Sequence, residues 1–113
     1  MALVTACGRA TQPPPPTLGP LAAEGRLVFQ QNCATCHAIT PDTIIIGPSL
    51  AGIGGWATTR VAGLDGRQYI ELSILQPDAY VVPGFANQMP TDFGKKLIGE
   101  QLNALVAYLL TLE

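Results

Sequence analysis

The chain has 113 residues, of which 48% are apolar and only 12% charged, and its formal net charge is −2. That is enough for one domain with an apolar core. It offers no basic field to hold nucleic acid, and so little charge beside so much apolar content excludes a disordered chain. Twelve glycines and ten prolines, about a fifth of the residues, predict turns and loops between a few regular elements.

Residues 1–20 read as an extended tail. Four consecutive prolines at 13–16 exclude helix and central strand and favour a semi-rigid polyproline spacer. The division is therefore a tether at 1–20 and a folded domain at 21–113. Gly19-Pro20 is a helix start signal, and Leu21, Gly25, Val28 and Phe29 then recur on one helical face, predicting a helix over 21–31. From 40 to 55 the chain is punctuated by Pro41, Gly47-Pro48, Gly52 and Gly54-Gly55 and reads as irregular. Ile44-Ile45-Ile46 could form a short strand, but nothing pairs with it. A second helix is predicted over 68–76, with Tyr69, Leu72 and either Ile74 or Leu75 on one face and Pro77 as its stop. Pro83-Gly84 marks a turn. The strongest helix spans 99–112, where Leu102, Leu105, Val106, Leu109 and Leu110 form an amphipathic stripe. No apolar run reaches the roughly 18 residues of a membrane span. The predicted class is all-α, with three or more helices.

Three cysteines cannot pair completely. Two stand in Cys33-Ala-Thr-Cys36-His37 and the third is Cys7. Cys-x-x-Cys-His is the attachment signature of c-type haem. Thiols at i and i+3 share one face at a helix end, at a separation that matches the two porphyrin vinyl groups, and the next residue falls under the iron. One covalent haem c, held by Cys33 and Cys36 with His37 as axial ligand, would also give a small loop-rich domain the apolar body that its core lacks. A thioredoxin-like site would sit in a βαβ setting, and no such alternation exists. A zinc site needs four ligands, and adjacent Cys36-His37 supplies poor geometry for it.

The second axial ligand follows by elimination. His37 is the only histidine, and of the two methionines Met1 is terminal. Met89, among turn residues ahead of the last helix, is therefore the candidate. A Met/His pair fills both axial positions and raises the potential. It leaves no open position for a substrate, so the expected activity is one-electron transfer and no small-molecule substrate is expected. An open-site haem sensor or enzyme is the alternative, and it requires Met89 to be off the iron.

From residue 21 to 112 the chain resembles the class I mono-haem cytochromes c. Gly25 and Phe29 match the first-helix pattern of that family, Tyr108 the aromatic of its last helix, Gly47-Pro48-Ser49-Leu50 the segment after the haem motif, and Met89-Pro90 the methionine ligand. The resemblance implies a small helical bundle around the haem, and it implies that the Pro48 carbonyl accepts a hydrogen bond from the axial histidine. The segment 73–85 further resembles the cytochrome domain fused to subunit II of some haem-copper oxidases, and the mono-haem subunit of alternative complex III. Copper-binding sequence is absent, so the chain is not expected to be a whole oxidase subunit. In this setting Tyr80, Val81, Val82 and Phe85 are expected to line the methionine side of the haem, or simply to pack the core. The Trp56 indole N–H is a candidate donor to a haem propionate.

Leu3-Val-Thr-Ala-Cys7-Gly8 resembles a bacterial lipoprotein box, which implies that Cys7 is lipidated. A free thiol is the other reading of Cys7. The expectation is thus an electron carrier tethered to the extracytoplasmic face of a bacterial membrane. Its partners would be redox proteins, a quinol-oxidising complex and a terminal oxidase, met through an apolar rim. A freely soluble shuttle is the variant without the anchor.

Overall fold

The computed structural model describes residues 18–113. The 13–16 proline run and Cys7 lie outside the described residues. Among those described there are five helices and no strand: α1 (Pro20–Asn32), α2 (Ile53–Arg60), α3 (Gly66–Leu75), α4 (Phe93–Lys96) and α5 (Gly99–Leu110). This is the all-α architecture that the sequence predicts.

Helix α1 opens with Pro20 in its first turn, where the missing N–H would have had no partner in any case. Its buried face is Ala22, Gly25, Val28 and Phe29. Leu21, expected on that face, is instead half exposed. Gly25, Val28 and Phe29 are buried as expected, and only the first position differs, Ala22 standing in for Leu21. Helix α5 crosses at Gly25. A Cβ placed on Gly25 would run into the Ala104 carbonyl and lie 2.8 Å from the Tyr108 Cβ, so the crossing needs a residue without a side chain there. One turn further on, the Phe29 and Tyr108 rings pack at 5.7 Å between centroids, tilted by 56°.

Helix α3 starts two residues before the predicted position. The Asp65 carboxylate accepts from the Gln68 N–H at 2.8 Å and the Gln68 side chain accepts from the Asp65 N–H at 2.9 Å. This reciprocal cap satisfies two otherwise unpartnered donors and fixes the start. Its buried positions are Gly66, Tyr69, Ile70 and Ile74. Leu72 and Leu75, offered by the sequence, lie off that face. Helix α2 was not expected at all, since Gly52 and Gly54-Gly55 read as breakers. Gly52 stands just ahead of it in the left-handed region (φ 73°), and the Gly54 N–H donates to the Leu112 carbonyl at 2.7 Å. The helix is therefore anchored to the chain's last turn by tertiary contact, which overrides weak propensity. Helix α5 carries three of the four driest positions of the core: Ala104, Leu105 and Val106 are at most 1% exposed, as is Ala57 of α2.

The isoleucine run makes no strand. Ile44 forms a single bridge with His37, and the three side chains are exposed.

Candidate functional site

Helix α1 ends where the cysteine motif begins. The Cys33 N–H donates to the Phe29 carbonyl at 2.8 Å, and the N–H groups of Cys36 and His37 both donate to the Cys33 carbonyl, at 3.1 and 2.9 Å. The motif is therefore a tight turn continuing the helix, and both thiols, which are free, line one cleft. Burial pushes the Cys33 thiol up to about 11, with the neighbouring Cys36 adding to the shift.

His37 is held by the loop that follows. Its Nδ1 lies 2.8 Å from the Pro48 carbonyl oxygen. A carbonyl can only accept, so Nδ1 carries the proton and Nε2 keeps its lone pair. The bond that the family resemblance implies for Pro48 is present. It fixes the tautomer and makes the imidazole a stronger donor through Nε2. Gly47 makes room for the ring, since a Cβ there would lie 2.5 Å from His37 Cε1. Gly47→Ala is expected to displace the imidazole and lower stability by about 1–3 kcal/mol, read by guanidinium denaturation. An unchanged midpoint would mean that the ring is not wedged against Gly47.

The cleft offers a cavity of about 170 Å³ that opens into a wide mouth. Cys33, Cys36, His37 and Met89 all line it, as do Pro48, Trp56, Tyr80, Val81, Val82 and Phe85. The structure thus brings together every site residue predicted from the sequence within 18–113. No Asp, Glu, Lys or Arg is among the lining residues. A large, flat, apolar macrocycle suits such a wall, the two thiols suit its vinyl groups, and an imidazole nitrogen and a thioether sulfur suit iron.

Trp56 needs a correction. Its indole N–H donates to the Ala51 carbonyl at 2.8 Å, closing the turn into α2, so the donor expected for a propionate is already used. The ring itself stays in the cleft wall. The Arg60 guanidinium lies over it, 4.2 Å from the ring centroid, a cation–π contact.

Sequence reading put Tyr69 on an apolar helix face but not in the site. Its ring stands edge-on to Trp56 at 6.2 Å and to Tyr80 at 6.0 Å, completing a wall of three aromatics. Burial raises the Tyr69 phenol above its ordinary value, and the Arg60 charge and a Ser73 hydrogen bond only partly offset this. Tyr69 therefore stays neutral in the cleft. Ile70, Ile74, Phe93, Leu105 and Leu109 also line it. The signal available for α3 was the Asp65-x-x-Gln68 cap, which sets the phase of Tyr69, Ile70 and Ile74.

The chain matches the family model of cytochrome c over residues 22–113. Cytochrome c oxidase subunit 2 of Bacillus sp. (strain PS3) is 32% identical over 106 residues, covering 88% of this chain and 28% of that protein. The chain thus spans little more than a quarter of the length of the curated relative it matches.

Proposed function

The chain belongs to the cytochrome c family, and from that premise we propose that it passes single electrons between redox proteins through a haem c attached at Cys33 and Cys36, with His37 and Met89 as axial ligands. Membership implies the covalent haem and haem-based electron transfer. The ligand set, the setting and the partners are our reading. When bound, the haem supplies the one-electron couple of its iron.

The chain's own residues do the rest. Cys33 and Cys36 fix the cofactor in place. His37, held by Pro48, presents Nε2 in a preset orientation. Met89 is the sole thioether among the lining residues, and a methionine ligand raises the potential. The uncharged wall around Tyr69, Leu105 and Leu109 excludes water and lowers the local dielectric. That penalises the more positively charged oxidised state and raises the potential further. The observation that carries this reading is the His37–Pro48 hydrogen bond inside a cleft that Met89 also lines.

The test is spectroscopic. The oxidised holoprotein is expected to show the far-red sulfur-to-iron band. Met89→Ala should abolish it and lower the midpoint potential by more than about 0.1 V, within the ~0.8 V that axial ligands span. A band that survives in Met89→Ala overturns the assignment. So does carbon monoxide binding to the reduced wild type at neutral pH, because that requires an open iron position.

The domain's likeness to part of an oxidase subunit supports a place between a quinol-oxidising complex and a terminal oxidase. No helix among the described residues is long and apolar enough to cross a membrane. The lipoprotein-like sequence around Cys7 supports tethering by lipid to the extracytoplasmic face. Cys7→Ser should move the protein from the membrane to the soluble fraction after native expression. A variant that stays membrane-bound overturns the anchor.

A further inference from the structure

We propose that Ser49 is a positioning residue for the axial histidine: its hydroxyl bolts the loop so that the Pro48 carbonyl stays aimed at His37, and this grip lowers the potential of the iron. The proposal deepens the haem reading above and rests on His37 as the axial ligand. The bond from His37 to Pro48 is the one that the family resemblance implies. What keeps its acceptor in place belongs to the side chains of this chain's own loop.

The accepting oxygen sits on the peptide unit that joins Pro48 to Ser49. The pyrrolidine ring fixes φ of Pro48, which leaves ψ of Pro48 and φ of Ser49 to aim that oxygen. Backbone bonds pin the residues on either side: the Gly47 N–H donates to the Cys36 carbonyl at 2.8 Å, and the Leu50 N–H to the Ala38 carbonyl at 2.8 Å. Neither N–H belongs to the Pro48–Ser49 unit. The Ser49 side chain acts directly beside it. Its hydroxyl donates to the Thr40 carbonyl at 2.6 Å and accepts from the Ala51 N–H at 3.1 Å. One hydroxyl thus ties both ends of the 40–51 loop to the residue that carries the accepting carbonyl's nitrogen.

Hydrogen bonds weaken steeply once donor and acceptor fall out of line. A carbonyl held in line with Nδ1–H gives the imidazole more anionic character and makes Nε2 the better donor. A better donor favours the more positively charged oxidised iron, so the bolt works against the methionine and the apolar wall, which raise the potential. The same loop holds a second hydroxyl network. The Thr43 hydroxyl accepts from the Thr40 hydroxyl at 2.9 Å and donates to the Pro41 carbonyl at 3.1 Å. It also joins loop residues to one another, but it makes no bond to residues 47–51, so it separates a general loosening of the loop from an effect on Pro48.

The test compares the holoprotein with its Ser49→Ala, Ser49→Thr and Thr43→Val variants. Two quantities are read: solvent exchange of the His37 Nδ1–H by NMR of the reduced protein, and the midpoint potential. Ser49→Ala should keep the absorption spectrum yet speed the exchange about fivefold, the scale of one net hydrogen bond. Its preference for the reduced state should rise about threefold, an upward shift of about 28 mV at 59 mV per tenfold for one electron. Ser49→Thr keeps the hydroxyl and should restore both, and Thr43→Val should move neither. Exchange and potential unchanged in Ser49→Ala overturn the proposal, even where guanidinium shows lower stability, because Ser49 then only closes the loop. Equal shifts in Thr43→Val overturn it too, and so does a Ser49→Thr variant that behaves like Ser49→Ala. A reduced wild type whose His37 ring protons lack the large upfield shift of a group beneath a haem overturns the ligand reading and with it the effect on potential. The exchange comparison still decides in that case whether Ser49 holds the His37–Pro48 bond.

Discussion

A Cys33→Ser, Cys36→Ser double variant is expected to be colourless and without a cooperative fold. The cleft that both thiols line encloses a cavity of about 170 Å³. Its walls come from α1's end, α2, α3, the 77–90 segment and α5, so the haem stands where another small domain would have its central side chains. That space left as void, at about 24 cal/mol per Å³, would cost ~4 kcal/mol. A domain of this size has about 5–15 kcal/mol in total. The chain would collapse to a looser state rather than keep the void. Either single variant should retain one thioether, a haem and most of the helix content. Intact mass, the pyridine haemochrome spectrum and circular dichroism check the three proteins. A colourless double variant with a sharp thermal transition near that of the wild type would refute the account.

Gly25→Ala is expected to destabilise the holoprotein by about 3 kcal/mol or more, although alanine is the better helix former. The added Cβ meets the Ala104 carbonyl and the Tyr108 Cβ, so α1 and α5 must move apart along the whole crossing. Overpacking typically costs about 1–3 kcal/mol, and here it strikes backbone, which cannot turn aside. Gly55→Ala, in the first turn of α2 with nothing within 4 Å of the new Cβ, should instead leave stability unchanged or gain up to about 1 kcal/mol. Guanidinium titration of both variants separates the steric effect from propensity. Equal and opposite-to-expected shifts would show that the crossing can relax.

Much of this was legible in the sequence, for identifiable reasons. Cys-x-x-Cys-His packs two attachment points and a ligand into five consecutive residues, so Cys33, Cys36 and His37 could be read directly. Met89, which lines the cleft, followed as the ligand candidate because the alternatives were so few. Helices α1 and α5 announced themselves by apolar period. Phase was harder. Leu21 looked like a core position, yet the crossing at Gly25 turns the smaller Ala22 inward. Helix α2 was hidden because its stability comes from the Gly54–Leu112 hydrogen bond, a contact made across half the chain. Trp56 could be placed near the haem, but its donor's partner, the Ala51 carbonyl, depends on a turn that no local pattern specifies.

The crossing of α1 with α5 also dictates an order of assembly. Gly25 and Ala104 stand 79 positions apart, and their meeting closes a loop of about 80 residues, a slow, non-local contact to make. Once that ring is shut, Cys33 lies half-buried in the cleft wall and its thiol is pushed further above its ordinary value, which shrinks the reactive thiolate fraction. Stitching the porphyrin to the polypeptide is therefore easier beforehand, on an open strand, with the terminal helices clasping around cargo already secured.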